Sequence, residues 1–271
     1  MPEGDTLHRT AATLSRALSG QKLVTVSSPI AEIVRARLSG HVVEEVVAMG
    51  KNLVIRFDDG RVLHTHLRMH GSWHLYRPEE RWQRPARDAR VVLDAGDIVA
   101  VCFGAPTVRV LGSVLTDDAQ LGGLGPDILA DPFEAETAIE ALALRGEVPI
   151  GVALLDQTVI CGIGNVYKSE TLFLCGADPF LPVSSYETSR LAEIVAEARS
   201  LMLANVHPER RNRTTRRAGR YWVYRRSGRA CFRCQTTIGM HRQGTTHRST
   251  YYCPRCQGIA RPSEADPAAR R

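Results

Sequence analysis

Four cysteines near the C-terminus restrict what this chain can fold into more than any other feature. Cys231-x2-Cys234 and Cys253-x2-Cys256 are separated by 18 residues, a spacing at which two thiolate pairs can close on one metal ion. Four thiolates at tetrahedral distances would fold a short hairpin that has too little core to fold alone. All four ligands would be protein thiolates, so the site has no open position and its role is structural. The expected ion is a single Zn2+, although four thiolates alone do not identify the metal. A pair of disulfides is the competing account, and it requires an oxidising compartment. Cys102, Cys161 and Cys175 sit in apolar stretches and read as buried core thiols.

Charge is distributed as unevenly as cysteine. Residues 207 to 261 hold 14 Arg and one acid, Glu209, a net of +13, whereas residues 1 to 206 hold 19 basic and 26 acidic groups, a net of −7. Tyr221, Trp222, Tyr224 and Phe232 are interleaved with the arginines, a mixture that suits nucleic acid better than a membrane surface. A solvated basic face would carry the same charges. Lys occurs only at positions 22, 51 and 168. No apolar run approaches the roughly 18 residues that a membrane span needs, and no charged-then-apolar leader opens the chain. The expectation is a soluble, cytoplasmic protein.

The 271 residues suffice for more than one domain. Leu7, Ala11, Leu14 and Leu18 recur at helical steps, predicting a helix that ends at Gly20. Segments 22–28, 41–48, 52–57, 61–67, 72–76, 90–94 and 97–103 read as strands, with Asp58-Asp59-Gly60 and Asp94-Ala95-Gly96-Asp97 as hairpin turns. Short strands with regular turns predict a β-sandwich, and segment 77–89 reads as a loop. Past Pro126, helical periodicity covers 132–145, 149–158, 166–175 and 186–205. Between the middle helices lies Gly162-Ile163-Gly164-Asn165. Asn165 can cap the following helix, whose exposed N–H groups would suit phosphate; a plain helical hairpin is the alternative. The fold class is therefore α+β multidomain: an N-terminal β-sandwich with flanking helices (1–120), a helical domain (127–222), a four-cysteine hairpin (223–261) and a disordered tail (262–271).

The chain opens Met1-Pro2-Glu3-Gly4. Removal of Met1 would leave Pro2 as a free secondary amine beside a carboxylate. Such an amine condenses with an aldehyde to an iminium without an N–H, an electron sink for elimination on adjacent carbons. A free α-amino group also titrates far enough below lysine to be partly neutral near pH 7. An ordinary trimmed terminus is the plain alternative.

Taken jointly, Met1-Pro2-Glu3-Gly4, Gly50-Lys51-Asn52-Leu53, His66-Leu67-Arg68-Met69-His70-Gly71, Gly162-Ile163-Gly164-Asn165-Val166-Tyr167 and His247-Arg248-Ser249-Thr250-Tyr251-Tyr252-Cys253 resemble the formamidopyrimidine-DNA glycosylase/endonuclease VIII family over essentially the whole chain. The resemblance implies a helix-two-turn-helix element around Asn165 and a zinc hairpin carrying Arg248. It implies a monomeric bifunctional glycosylase and abasic-site lyase that acts on damaged double-stranded DNA at the bacterial nucleoid. Pro2 would attack C1′ of a damaged nucleotide, and Glu3 would move protons at the sugar. Lys51 would bind the lesion phosphate. Asn165, Arg248 and His66 would clamp neighbouring phosphates, contacts that position the duplex without reading sequence. Met69 would fill the void left by the extruded nucleotide, with Arg68 and His70 completing the wedge.

Two departures bear on substrate. Cys102-Phe103-Gly104-Ala105-Pro106-Thr107-Val108-Arg109 lacks the Arg-Arg-Phe-Gly element of the formamidopyrimidine branch, and segment 207–221 looks too short for a long base-capping loop. Both favour the endonuclease VIII branch and oxidised pyrimidines. Asp5-Thr6 stands where the family usually has Pro-Glu, as in an actinobacterial subgroup of endonuclease VIII. A non-catalytic nucleic-acid-binding zinc protein and a same-family enzyme for oxidised purines are the rival readings.

Overall fold

The computed structural model describes residues 2–207, 215 and 221–259. Met1, most of segment 207–221 and the expected tail at 262–271 lie outside the described residues. Helix α1 (Gly4–Leu18) begins three residues before the apolar stripe does, and it buries Leu7, Ala11, Leu14 and Leu18 along one face. That face lies on a sandwich of two antiparallel four-stranded sheets. One sheet runs β1 (Thr25–Ser27), β6 (Ala89–Asp94), β7 (Val99–Phe103), β5 (Ser72–Tyr76). The other runs β2 (Val43–Met49), β3 (Asn52–Phe57), β4 (Val62–His66), β8 (Thr107–Leu111). Leu53, Ile55, Phe57 and Leu63 meet Val91, Leu93, Ala100 and Cys102 in the core between them. Each large aliphatic side chain fully buried this way contributes about 1.5–3 kcal/mol.

Two elements of this half were not foreseen. Helix α2 (Ala31–Ala36) buries only Ile33, too little to print a helical period. Strand β8 follows β7 after only Gly104-Ala105-Pro106, and its five residues bury only Val108.

Helices α3 (Ala135–Ala143), α4 (Ile150–Ala153), α5 (Asn165–Leu174) and α6 (Thr188–Leu203) form the second half around Ile160, Ile163, Tyr167, Leu172, Ile194 and Met202. The helix predicted over 149–158 is cut to one turn, because Asp156 turns the chain instead. Its Oδ1 accepts the Thr158 N–H at 2.9 Å and the Thr158 hydroxyl at 2.7 Å, a local bond that competes with helix. Helix α5 is buried at every residue from Asn165 to Phe173, polar ones included. Against it packs a β-hairpin of β9 (Gly239–Gln243) and β10 (Arg248–Tyr252), through Phe173, Val223, Cys231, Ile238 and Cys253.

The sandwich meets the helical half at the β2–β3 turn. Asp127 Oδ2 accepts from Gly50 N at 2.7 Å and His8 Nε2 at 3.0 Å, while its Oδ1 accepts from Leu129 N at 2.9 Å. Burial alone would raise this carboxyl, but the bonds from His8, Gly50 and Leu129 outweigh it and hold it below the usual carboxylate range. Gly50 adopts φ +58°, and a Cβ there would lie 2.7 Å from Cys161 Sγ and 3.1 Å from Gly162 N. Gly50→Ala therefore combines left-handed backbone strain with overpacking, and it should lower the stability to urea by about 2–4 kcal/mol. Unchanged unfolding would mean that the turn does not set the junction.

Candidate active site

Glu3 runs in extended geometry into the start of α5 and is completely buried. Its Oε1 accepts the Val166 N–H at 2.9 Å, and Oε2 faces the Tyr167 N–H at 3.4 Å. One residue on, Gly4 N donates to Gly162 O at 2.9 Å. The glycines of Gly162-Ile163-Gly164-Asn165 exist for this approach. A Cβ on Gly164 would stand 2.3 Å from Glu3 Cδ, and Gly162 takes φ +108°. The expectation of open N–H groups for phosphate at this helix start is thus corrected: the anion that the helix N-terminus favours is the chain's own Glu3. Nor does Asn165 cap the helix. Gly164 is the N-cap residue, with no side-chain cap bond, and Asn165 Oδ1 is buried without a partner among the described residues. Gln157 holds the turn from below, its Oε1 accepting from Gly162 N at 3.1 Å and its Nε2 donating to Ile163 O at 3.2 Å.

In front of this junction opens a cavity of about 320 Å³. Pro2, Lys51, Asn165 and Arg248 line it together with His66, Arg68, Met69, Leu155, Gln157 and Gly164. Seven sequence-selected residues are thereby brought together from five separate stretches of chain. Glu3 packs against Gly164 of its lining, and exposed His70 is not part of the lining.

Lys51 occupies the two-residue turn between β2 and β3, in register Met49↔Asn52, in the gap between the strands read over 41–48 and 52–57. Burial draws its ammonium down to about 8, against the pull of Glu3 upward and with Arg248 adding to the depression. A lysine so placed exchanges protons near neutral pH. His66 is drawn down to about 4 by burial, with Arg68 and Lys51 acting the same way. It is a neutral imidazole whose Nδ1 accepts from Arg68 N at 3.2 Å, so it can offer a hydrogen bond but no charge. Residues 67–71 form a tight turn closed by Gly71 N donating to Leu67 O at 2.8 Å. The turn pushes Arg68, Met69 and His70 into solvent, and Met69 is 57% exposed. Such exposure excludes the ordinary core position that a strand-end methionine would suggest.

The four cysteine sulfurs lie within 4.8 Å of one another. Cys231 and Cys256 Sγ are 3.8 Å apart, and Cys234 and Cys253 Sγ 3.4 Å. These are not disulfide lengths of about 2.05 Å; they approach the roughly 3.8 Å edge of a tetrahedron with 2.3 Å metal–sulfur bonds. The set can hold one metal ion.

Sequence reading missed Gln157, Asp127, Lys168 and Glu170. Each acts through a contact more than 50 residues away or through backbone atoms, and neither leaves a local pattern.

A family model for the formamidopyrimidine-DNA glycosylase N-terminal domain matches residues 1–107, and one for the formamidopyrimidine-DNA glycosylase H2TH domain matches residues 124–217. The chain is 38% identical over 260 residues to the probable endonuclease 8 2 of Streptomyces coelicolor, covering 95% of this chain and 94% of that one. It is also 38% identical to the DNA-(apurinic or apyrimidinic site) lyase Nei2 of Mycolicibacterium smegmatis, covering 95% and 99%. To the formamidopyrimidine-DNA glycosylase of Rhodospirillum rubrum it is 31% identical, covering 95% and 100%. The fold matches that of Lactococcus lactis Fpg in a complex with DNA containing an abasic site, at TM-score 0.80 and 20% identity over 94% of this chain and 99% of that one. The chain belongs to the formamidopyrimidine-DNA glycosylase/endonuclease VIII family.

Proposed function

We propose that this protein is a bifunctional DNA glycosylase and abasic-site lyase of base excision repair, removing oxidised pyrimidines from damaged duplex DNA. The observation that carries the reading is the convergence of Pro2, Lys51, Asn165 and Arg248 on one cavity, with the buried Glu3 carboxylate packed against Gly164 of its lining. Once Met1 is removed, the Pro2 nitrogen attacks C1′ of the extruded nucleotide, and the glycosidic bond breaks with its electrons leaving on the base. Opening of the sugar gives an iminium between Pro2 and C1′. Loss of a C2′ proton expels the 3′ phosphate, and a second elimination expels the 5′ phosphate. Glu3 exchanges protons at the sugar, the role a carboxyl within reach serves. Lys51 and Arg248 neutralise phosphates, Asn165 and His66 add uncharged hydrogen bonds, and Met69 with Arg68 and His70 fills the vacated stack.

The pyrimidine assignment is supported by the connection of only Gly104-Ala105-Pro106 between β7 and β8, which leaves no room for further wedge residues. The 38% identity to endonuclease 8 relatives, against 31% to the R. rubrum formamidopyrimidine-DNA glycosylase, supports the same branch. The donor set favours one structural Zn2+ held by Cys231, Cys234, Cys253 and Cys256, whose part is to fold the hairpin and carry Arg248. The proposed division is 1–120 for catalysis, 127–222 for the helix-two-turn-helix domain and 223–261 for the zinc hairpin. Among the described residues no helix is long and apolar enough to cross a membrane, and the reading is of a monomer in the bacterial cytoplasm.

Borohydride reduction on an abasic-site duplex should trap a covalent adduct with protein whose intact mass shows Met1 removed, and none with the N-terminus blocked. Binding without an adduct would leave only a DNA-gripping protein. Thymine glycol or dihydrouracil should be excised faster than 8-oxoguanine, and the reverse order would move the enzyme to the purine branch. Glu3→Gln should lower single-turnover excision by about 10²-fold or more while changing duplex affinity only a few-fold; unaltered excision would remove Glu3 from the chemistry. Lys51 is cationic below about pH 8, and an adjacent phosphate would raise its pKa, so binding takes up a proton. Affinity should therefore fall as pH rises above about 8, by up to about tenfold per pH unit, and Lys51→Met should flatten the dependence.

A further inference from the structure

Only three lysines accompany 32 arginines in this chain, and two of them, half-buried Lys51 and fully buried Lys168, stand near the junction of Glu3 with α5. Lys168 is fully buried on α5, and no carboxylate within ion-pair distance of it is found among the described residues. A buried ammonium without an ion pair is costly, so its hydrogen bonds must account for its presence. Nζ donates to Ser249 O at 3.1 Å and to Thr250 Oγ1 at 2.7 Å. Thr250 in turn donates to Gln243 Oε1 at 2.5 Å, and Gln243 Nε2 donates to Pro179 O at 3.0 Å. Gln243 is the cross-strand partner of Arg248. The chain of bonds therefore grips the residues that follow Arg248 and the residue paired opposite it.

The position of this grip on the hairpin gives it a purpose. The cysteine cluster ties down the base of the hairpin, and Cys253 lies five residues beyond Arg248, about 17 Å along a strand. Next to Arg248 on the tip side is His247, in left-handed backbone at φ +48°. Metal binding at the base cannot by itself fix the direction of a long side chain at that distance. Burial draws Lys168 down to about 7, with Glu3 pulling upward and Arg248 pushing downward, so its amine lies in the field of both groups. It can donate to both acceptors whether or not it is protonated.

We infer that Lys168 is the positioning residue for Arg248, pinning the hairpin tip to α5 so that the guanidinium stands over the Pro2 cavity. The inference rests on the reading of Arg248 as a phosphate ligand. It is tested in the full chain, as purified with its metal, by binding to a duplex carrying a tetrahydrofuran abasic-site analogue. Lys168→Met should weaken binding by about tenfold, comparable to Arg248→Ala, and lower the salt slope by about one counterion. The double variant should bind no more weakly than Arg248→Ala alone. Melting temperature and bound-metal content should match those of the parent. Thr250→Val, which removes the middle of the relay at nearly constant volume, should show the same non-additivity, and it decides the matter if Lys168→Met does not fold.

Additive losses, no loss in either variant, or release of the metal would overturn the inference; the last would make Lys168 a support of the hairpin alone. If Arg248→Ala binds as the parent does, the phosphate reading and this inference fail together. If Arg248→Ala weakens binding while Lys168→Met and Thr250→Val do not, only the inference fails.

Discussion

The carboxylate of Glu3 at the start of α5 is the contact on which the rest of the architecture depends. A helix N-terminus presents unpaired N–H groups and a partial positive charge, and here they are met by a side chain 163 residues earlier in the chain. That one contact fixes where the adjoining Pro2 nitrogen stands. It also fuses the sandwich to the helical half, because the residue that supplies the anion is the N-cap of α1.

Helix α5 then serves two further polar partners along its length. Lys168 holds β10, and Glu170 holds the bend at residues 222–224 that leads into the cysteine module. The Glu170 carboxylate accepts from the backbone N–H groups of Trp222, Val223 and Tyr224 at 2.7–2.9 Å and from the Thr215 hydroxyl. Burial raises its pKa above the ordinary value, and these four donors only partly oppose the rise. Charge-assisted bonds of this kind contribute about 1.5–3 kcal/mol each, offset by the desolvation of the charge. Stability therefore does not explain a helix with a buried lysine and a buried glutamate two residues apart. Registration does: the terminus, the glycine turn and the hairpin are all referred to the same ten residues, so the groups around the cavity keep their mutual distances.

Much of this was legible in the sequence, for reasons that also mark where legibility stopped. Strand alternation, the α1 stripe and the cysteine spacing are local, so β3, β5 and the hairpin carrying the thiols could be read directly. The Pro2, Lys51, Asn165 and Arg248 set was reached through resemblance, and the structure gathers it into one cavity. Contacts across long separations were not legible. Nothing near Gly164 announces that Glu3 must pass within a Cβ of it, and the open phosphate site expected at that helix start was wrong because its donors belong to Glu3. Helix α4 was overextended because the Asp156 turn outweighs a favourable apolar period. The turn carrying Lys51 fell between the strands read over 41–48 and 52–57, because Gly-Lys between two apolar runs carried the signal.

The turn proposed as the wedge is built with the same economy of parts. Residues 67–71 close on themselves through Gly71, where a Cβ would lie 2.6 Å from Leu67 O, so only glycine fits this close a turn. From the adjoining loop, Arg84 donates to His70 O at 2.8 Å and to Ser72 Oγ at 3.2 Å, with its guanidinium 5.6 Å from the buried Phe103 ring. Phe103 ends β7, and only three residues separate it from β8. The short connection that leaves no second wedge in that loop is therefore the one that seats the brace for the first. A side chain that must hold base pairs apart works against stacking energy of a few kcal/mol, and an exposed methionine on an unsupported loop would yield to it. In the proposed wedge role, Met69 would press on a duplex from a backbone tied on both sides to the sheet strands β4 and β5.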